Sequence, residues 1–271
     1  MGIGLVLVVF TCLIFTVFRQ SQRNLRLGEA VNKGDEAQVK ALLANGADPN
    51  ARNQRFYLTL NDMVRLVCHI GYHQETYETT VVMRAACGEN DRILESLLKA
   101  GGDVHETAYG ITPLIFAVQS RRPRSVELLI QHGADLNCSG QLTTPLIMAT
   151  TRPFGQEEFR TLLAHGANLN GHNKDGETPL MCAAGSGSPE NILVVLHAGA
   201  NINLRDFKGK TALRWAVDSG NSGTVTTLLN AGADITLRDQ DGKTAEHIAA
   251  ANAQKDIALL IRNYRLRNAN Q

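Results

Sequence analysis

Charge of either sign is not segregated along this chain. Its 27 Lys and Arg stand against 26 Asp and Glu, a net charge of +1, and no sizeable basic block interrupts the mixture. Long-range steering toward nucleic acid therefore has no support. Aromatic side chains are scarce, 5% of 271 residues with a single tryptophan, so the core has to be built from Ala, Leu and Val, which suits packed helices. Cysteine is sparse too. Cys12 lies in an apolar run, and Cys68, Cys87, Cys138 and Cys182 are scattered with no framework spacing. That pattern excludes a disulfide-stapled domain and suits a reducing compartment.

What the chain has instead is a repeat. The stretch Thr178-Pro179-Leu180-Met181-Cys182-Ala183-Ala184 begins as a helix: the threonine hydroxyl can cap free amides, and proline suits the first helical position. A Gly/Ser/Pro break follows, then a second apolar run from Ile192 to Leu196, closed by Gly199, where glycine takes the left-handed conformation freely. One such helix pair cannot bury its own apolar face and needs copies on either side. The starting threonine recurs at Thr80, Thr112, Thr144, Thr211 and Thr244. The closing Gly-Ala recurs at one constant interval, at Gly133-Ala134, Gly166-Ala167, Gly199-Ala200 and Gly232-Ala233, with Gly46-Ala47 and Gly101-Gly102 ahead of them. A 33-residue period carrying Thr-Pro-Leu-x-x-Ala, a helix pair and Gly-Ala-Asp resembles the ankyrin repeat over residues 25–265. The resemblance implies an all-α solenoid of stacked helix pairs joined by hairpin loops, a monomeric array that binds another protein through its concave face and hairpin tips. It implies no cofactor, no metal and no catalysis, and fold alone names no partner.

In chain order, Gly2 to Phe18 is uncharged and almost wholly apolar, and 17 residues is about the shortest helix that spans a bilayer. Arg19, Arg23 and Arg26 follow it and no cation precedes it. Gly2, Phe10, Phe18, Arg19 and Arg23 thus mark a single N-terminal transmembrane helix with its basic flank, residues 1–23. The positive flank places the array on the cytoplasmic side. The alternative is an atypical export signal and an exported or periplasmic array. Residues 24–53 read as a capping repeat, ending Gly46-Ala47-Asp48-Pro49-Asn50. The next repeat starts late. The gap from Asn50 to Thr80 is several times the regular one from Asn203 to Thr211, so an extra segment is inserted. This insertion, 54–79, holds three of the five tyrosines and has room for a short helix from Asn61 or Asp62 to Ile70. Regular repeats fill 80–240, and 241–271 is a C-terminal capping repeat and tail with Arg262, Arg265 and Arg267 on a polar outer face. The family's usual histidine, fourth in Thr-Pro-Leu-His, stands only at His247; Met83, Ile115, Ile147, Met181 and Arg214 replace it.

Motifs that suggest chemistry fall to plainer readings. Gly209-Lys210-Thr211 and Gly242-Lys243-Thr244 look like the end of a phosphate-binding loop, but Leu204 and Leu237 stand where its first glycine is required. Cys68, His69 and His73 have metal-like spacing without a matching second pair. Gly185-Ser186-Gly187-Ser188-Pro189 is a break between helices rather than a nucleophile elbow, which needs a strand before it. Arg84, Phe116, Met148, Cys182, Trp215 and Ile248 share one position of the first helices, and inter-repeat packing is the preferred account of that stripe.

Partner contact is assigned to the tips and the insertion. The tips carry Tyr109, Lys174, Asp175, Phe207, Lys208, Gln240 and Asp241, and the insertion carries Phe56, Tyr57, Tyr72 and Tyr77, side chains that dominate interface energy. The expectation is a membrane-anchored protein-binding module. An immunity or inhibitor protein that neutralises a cognate toxin or enzyme by direct binding is the second reading, and a passive spacer the third. The aromatic insertion argues against the spacer.

Overall fold

A computed structural model describes residues 2–52, 79–108, 110–138, 143–150 and 156–269, with side chains from residue 15 onward. The insertion with Phe56, Tyr57, Tyr72 and Tyr77, its short helix, its Cys68–His73 cluster, and Tyr109 all lie outside the described residues. Fourteen helices follow one another among the described residues: α1 (Gly2–Lys33), α2 (Glu36–Ala44), α3 (Val81–Cys87), α4 (Asp91–Lys99), α5 (Pro113–Gln119), α6 (Pro123–Gln131), α7 (Pro145–Thr150), α8 (Gln156–Ala164), α9 (Pro179–Gly185), α10 (Pro189–His197), α11 (Ala212–Ser219), α12 (Ser222–Asn230), α13 (Ala245–Ala251) and α14 (Lys255–Ala269). Contacts group these into two compact units, Met1–Ala117 with Glu127–Ala134, and Val118–Val126 with Asp135–Gln271.

The threonines start the first helix of each pair as expected. The hydroxyls of Thr80, Thr112, Thr144, Thr178, Thr211 and Thr244 accept from the amides of Met83, Ile115, Ile147, Met181, Arg214 and His247 at 3.2–3.4 Å. Each hydroxyl satisfies a donor that the helix itself leaves unpaired. The missing histidines are partly compensated. Where His247 Nδ1 lies 3.4 Å from the Thr244 amide, the Met181 sulfur lies 3.5 Å from the Thr178 amide. The second helices take different caps: Asp35, Asn90, Ser188 and Asn221 each accept an amide two or three residues on.

In the first unit α1 packs on α2 and α3, and α2 and α3 each pack on α4. Leu27, Ala30, Val39, Val81, Val82, Met83, Leu94 and Leu97 are fully or almost fully buried between them. The expected boundary between residues 23 and 24 falls inside α1, which runs unbroken for 32 residues. No glycine or proline between Phe18 and Leu27 offers a stopping point, so the chain has no reason to leave the helix there. The last turns of α1 are the first helix of the capping repeat. Among the described side chains no helix is long and apolar enough to cross a membrane, and at Gly2 and Phe10 only the helical backbone is described.

In the second unit α9 lies between α7 and α11, α11 between α9 and α13, and the outer helices α10, α12 and α14 stack alongside. Leu146, Phe159, Leu162, Leu180, Ile192, Leu213, Val225, Leu228 and Ile261 are sealed in this core. Side-chain amides tie successive repeats at their lower loops. Asn137, Asn170 and Asn203 accept from the backbone amides of Asn168, Asn201 and Asp234 in the following repeat at 2.8–2.9 Å. In the first unit Asn50 accepts from Asp103 in the same way, and Asn24 accepts from Asp48 within the first repeat. The six residues at the shared position in the first helices do not form an exposed apolar stripe. Arg84, Phe116, Met148, Cys182 and Trp215 are half-buried and Ile248 is buried.

Candidate functional site: a row of hairpin tips

Three hairpin tips of the second unit share one internal design. Asn173, Asp206 and Asp239 occupy the same position in successive repeats. Each accepts with Oδ1 from the amides two and four residues on: Asp175 and Glu177, Lys208 and Lys210, Asp241 and Lys243, at 2.8–3.0 Å. The backbone closes each tip in register, with Asn173, Asp206 and Asp239 donating to the carbonyls of Glu177, Lys210 and Lys243. The sequence reading named the outward residues of these tips but not the three that shape them. Their regular recurrence, one turn ahead of the Gly-x-Thr, was the signal available.

The tips are also bonded to one another. The Phe207 amide donates to the Asp175 carbonyl at 3.2 Å, and the Gln240 amide donates to the Lys208 carbonyl at 2.9 Å. The Gln240 side chain donates to the Phe207 carbonyl. Arg205 reaches the Arg238 carbonyl at 2.6 Å. Gly176 explains how the first two tips come so close. Its φ is +80°, and a Cβ there would meet the Phe207 nitrogen at 2.6 Å. The outcome is a continuous ribbon in which Lys174, Asp175, Phe207, Lys208, Gln240 and Asp241, the expected tip residues that are described, stand side by side and exposed.

Beneath the ribbon the polar side chains are committed to one another. The Trp215 indole donates to Asp206 Oδ2 at 3.1 Å, with the Lys210 ammonium 5.6 Å from the ring centroid. Arg214 pairs with Asp239 at 2.5 Å and with Asp218 at 3.1 Å, and Lys210 pairs with Asp218 at 2.9 Å. Burial pushes the Asp239 carboxyl up, but the Lys243 amide, Arg214 and the Asp241 amide together hold it below its ordinary value. Phe207 is the exception to this commitment. It is 59% exposed, with His172 set edge-on against its ring at 5.4 Å and Gly176 beside it.

Nothing in the described residues gathers like a catalytic or metal centre. No three His, Cys, Asp or Glu among them are placed to hold an ion. The Cys182 thiol is pushed up to about 12, first by burial and then by the Glu177 carboxylate 3.9 Å away, so it stays protonated and unreactive. At the other end of the chain, the exposed Phe15 and Phe18 stand on α1 with Arg19 4.5 Å above the Phe15 ring.

With this geometry in view, the comparisons place the chain. A profile for ankyrin repeats in three copies matches residues 27–140, 138–206 and 190–270. The chain belongs to the ankyrin-repeat family, whose fold is typically a non-catalytic scaffold for protein–protein interaction. Among solved structures it is similar to the human ASB11 ankyrin repeat domain, with a TM-score of 0.68 and 24% identity, covering 88% of this chain and 96% of that one. At that identity the likeness speaks to fold alone. No curated protein matches.

Proposed function

We propose that the chain is a membrane-tethered binding module that recruits a protein partner to the cytoplasmic face through its hairpin tips and its insertion. The observation that carries the binding half is the ribbon: three tips locked to one another with an exposed phenylalanine at their centre. A rigid loop that presents an aromatic loses little entropy on docking. The tether half rests on the apolar run to Phe18, followed by three arginines, in a helix that continues into the first repeat without a hinge.

Two measurements test the tether. Membranes carrying the full-length chain are washed with alkali; retention is expected, and release removes the tether. An alkaline phosphatase fused to the C-terminus is expected to be inactive in bacteria, and activity there reverses the sidedness. For the insertion, replacing Tyr72 and Tyr77 by alanine is expected to weaken partner binding by about 1–3 kcal/mol at unchanged melting temperature. Early melting with normal binding makes the insertion a structural lid.

A further inference from the structure

The ribbon has a charge imbalance that its internal ion pairs do not remove. Asp218 and Asp239 are neutralised by Lys210 and Arg214, whereas Asp206 is held by the uncharged Trp215 indole and by backbone amides and keeps its charge. The ammonium groups of Lys174, Lys208 and Lys243 have no carboxylate partner among the described residues. The guanidinium groups of Arg205 and Arg238 end on carbonyl oxygens, at 2.6 Å in both cases, which holds them in place without neutralising them. Against these five cations stand four carboxylates without a cationic partner among the described residues, the exposed Asp175 and Asp241 and, beneath them, Glu177 and Asp206. The exposed layer of the tips is therefore biased to positive charge, with Lys174, Arg205, Lys208, Arg238 and Lys243 against Asp175 and Asp241, while Glu177 and Asp206 beneath it offset part of that charge. The surface is also ordered before any partner arrives, since Asn173, Asp206 and Asp239 hold each loop from inside.

We propose that the ribbon of tips docks an acidic segment of the partner protein, with an apolar side chain of that segment seated on Phe207. This rests on the tips being the binding surface and adds the chemistry of what binds. Fixed cations flanking an exposed ring match alternating carboxylates and one apolar anchor. A nucleic acid fits less well. Its phosphates run without a gap, and Asp175 and Asp241, set among the cations, repel an unbroken anion while a peptide can place neutral residues opposite them.

The test uses the full-length chain in detergent and fluorescence anisotropy with short labelled probes: a Glu-rich peptide with one Phe, the same peptide without Phe, a Lys-rich peptide with one Phe, and oligothymidylate. The Glu-rich peptide with Phe is expected to bind at least about tenfold more tightly than the Lys-rich one or the oligonucleotide, and to weaken as salt rises. The triple charge reversal Lys174→Glu, Lys208→Glu, Lys243→Glu is expected to weaken it by at least about tenfold. The matched triple reversal Lys40→Glu, Lys99→Glu, Lys255→Glu on the outer helices is expected to leave it unchanged. Phe207→Ala is expected to weaken the Phe-bearing peptide and not its Phe-less counterpart. Absence of acidic-peptide binding, equal binding of the Lys-rich peptide, tightest binding of oligothymidylate, or equal loss from the outer-helix reversal each overturns the proposal. A photo-cross-linking residue at position 207, used in native membranes, separates the two readings. A protein cross-linked there while acidic peptides fail leaves the tips as the binding surface and removes only the acidic partner. No cross-link and no peptide binding removes both.

Discussion

At the scale of single residues, burial and backbone angle set what this chain tolerates. Leu180 is 1% exposed between α7 and α11, so Leu180→Ala is expected to cost about 2–5 kcal/mol in urea denaturation. Because each repeat leans on its neighbours, protection from hydrogen exchange should fall in the repeats that start at Thr144 and Thr211 as well. A loss below about 1 kcal/mol would show that Leu180 is not sealed between repeats. Two glycines make a sharper pair. Gly199 has φ +98° with open space around it, and Gly176 has φ +80° with the Phe207 nitrogen in the way. Gly199→Ala is expected to cost only the left-handed strain, about 1–2 kcal/mol. Gly176→Ala is expected to cost more and to part the first tip from the second, visible as faster exchange at the Phe207 amide. Equal costs would mean that the close approach is not maintained in solution.

At the scale of elements, each tip is a small hydrogen-bonded unit nucleated by one acid or amide, and in the Asp239 tip that acid titrates. Its folded value lies below the ordinary one, so its contribution to stability is complete above about pH 4–5 and is lost as the pH falls through the folded value. Asp239→Asn is expected to lower the melting temperature at neutral pH, and the difference from wild type is expected to close under acid. A gap that stays constant down to low pH would place the effect elsewhere than in the Arg214 pair. The helix pairs are the other repeated element. Their threonine caps recur at every start from Thr80 on, whereas among the second helices α2, α4, α10 and α12 begin on Asp, Asn or Ser as each loop allows. The first kind of start was legible from the recurring threonine, followed by proline at Thr112, Thr144 and Thr178. The second was not, because many polar residues accept an amide equally well.

At the scale of the whole molecule, the point where tether meets array can be tested by truncation. Gln20 donates to the Gly46 carbonyl at 2.8 Å and to Asn24 at 3.1 Å, and Asn24 accepts from Asp48 at 2.9 Å. A chain beginning at Arg19 keeps all three bonds and is expected to be soluble and folded. A chain beginning at Asn24 loses those of Gln20 and is expected to be about 1 kcal/mol less stable by thermal melting. If both melt alike, α1 contributes nothing to the first repeat before residue 24. The sequence by itself determined the family, the repeat period and the burial of Leu180. A regular repeat period is a one-dimensional property, and each repeat meets its neighbours in the same way wherever it occurs. Only the tertiary structure decided that α1 runs through the expected boundary and that the tips pair through Phe207 and Gln240. It also decided which charges are spent, on Asp218 and Asp239, and which remain free on Lys174, Lys208 and Lys243. Spelling shows how many cations a loop carries, but whether a carboxylate lies within reach depends on where neighbouring repeats put their side chains in space.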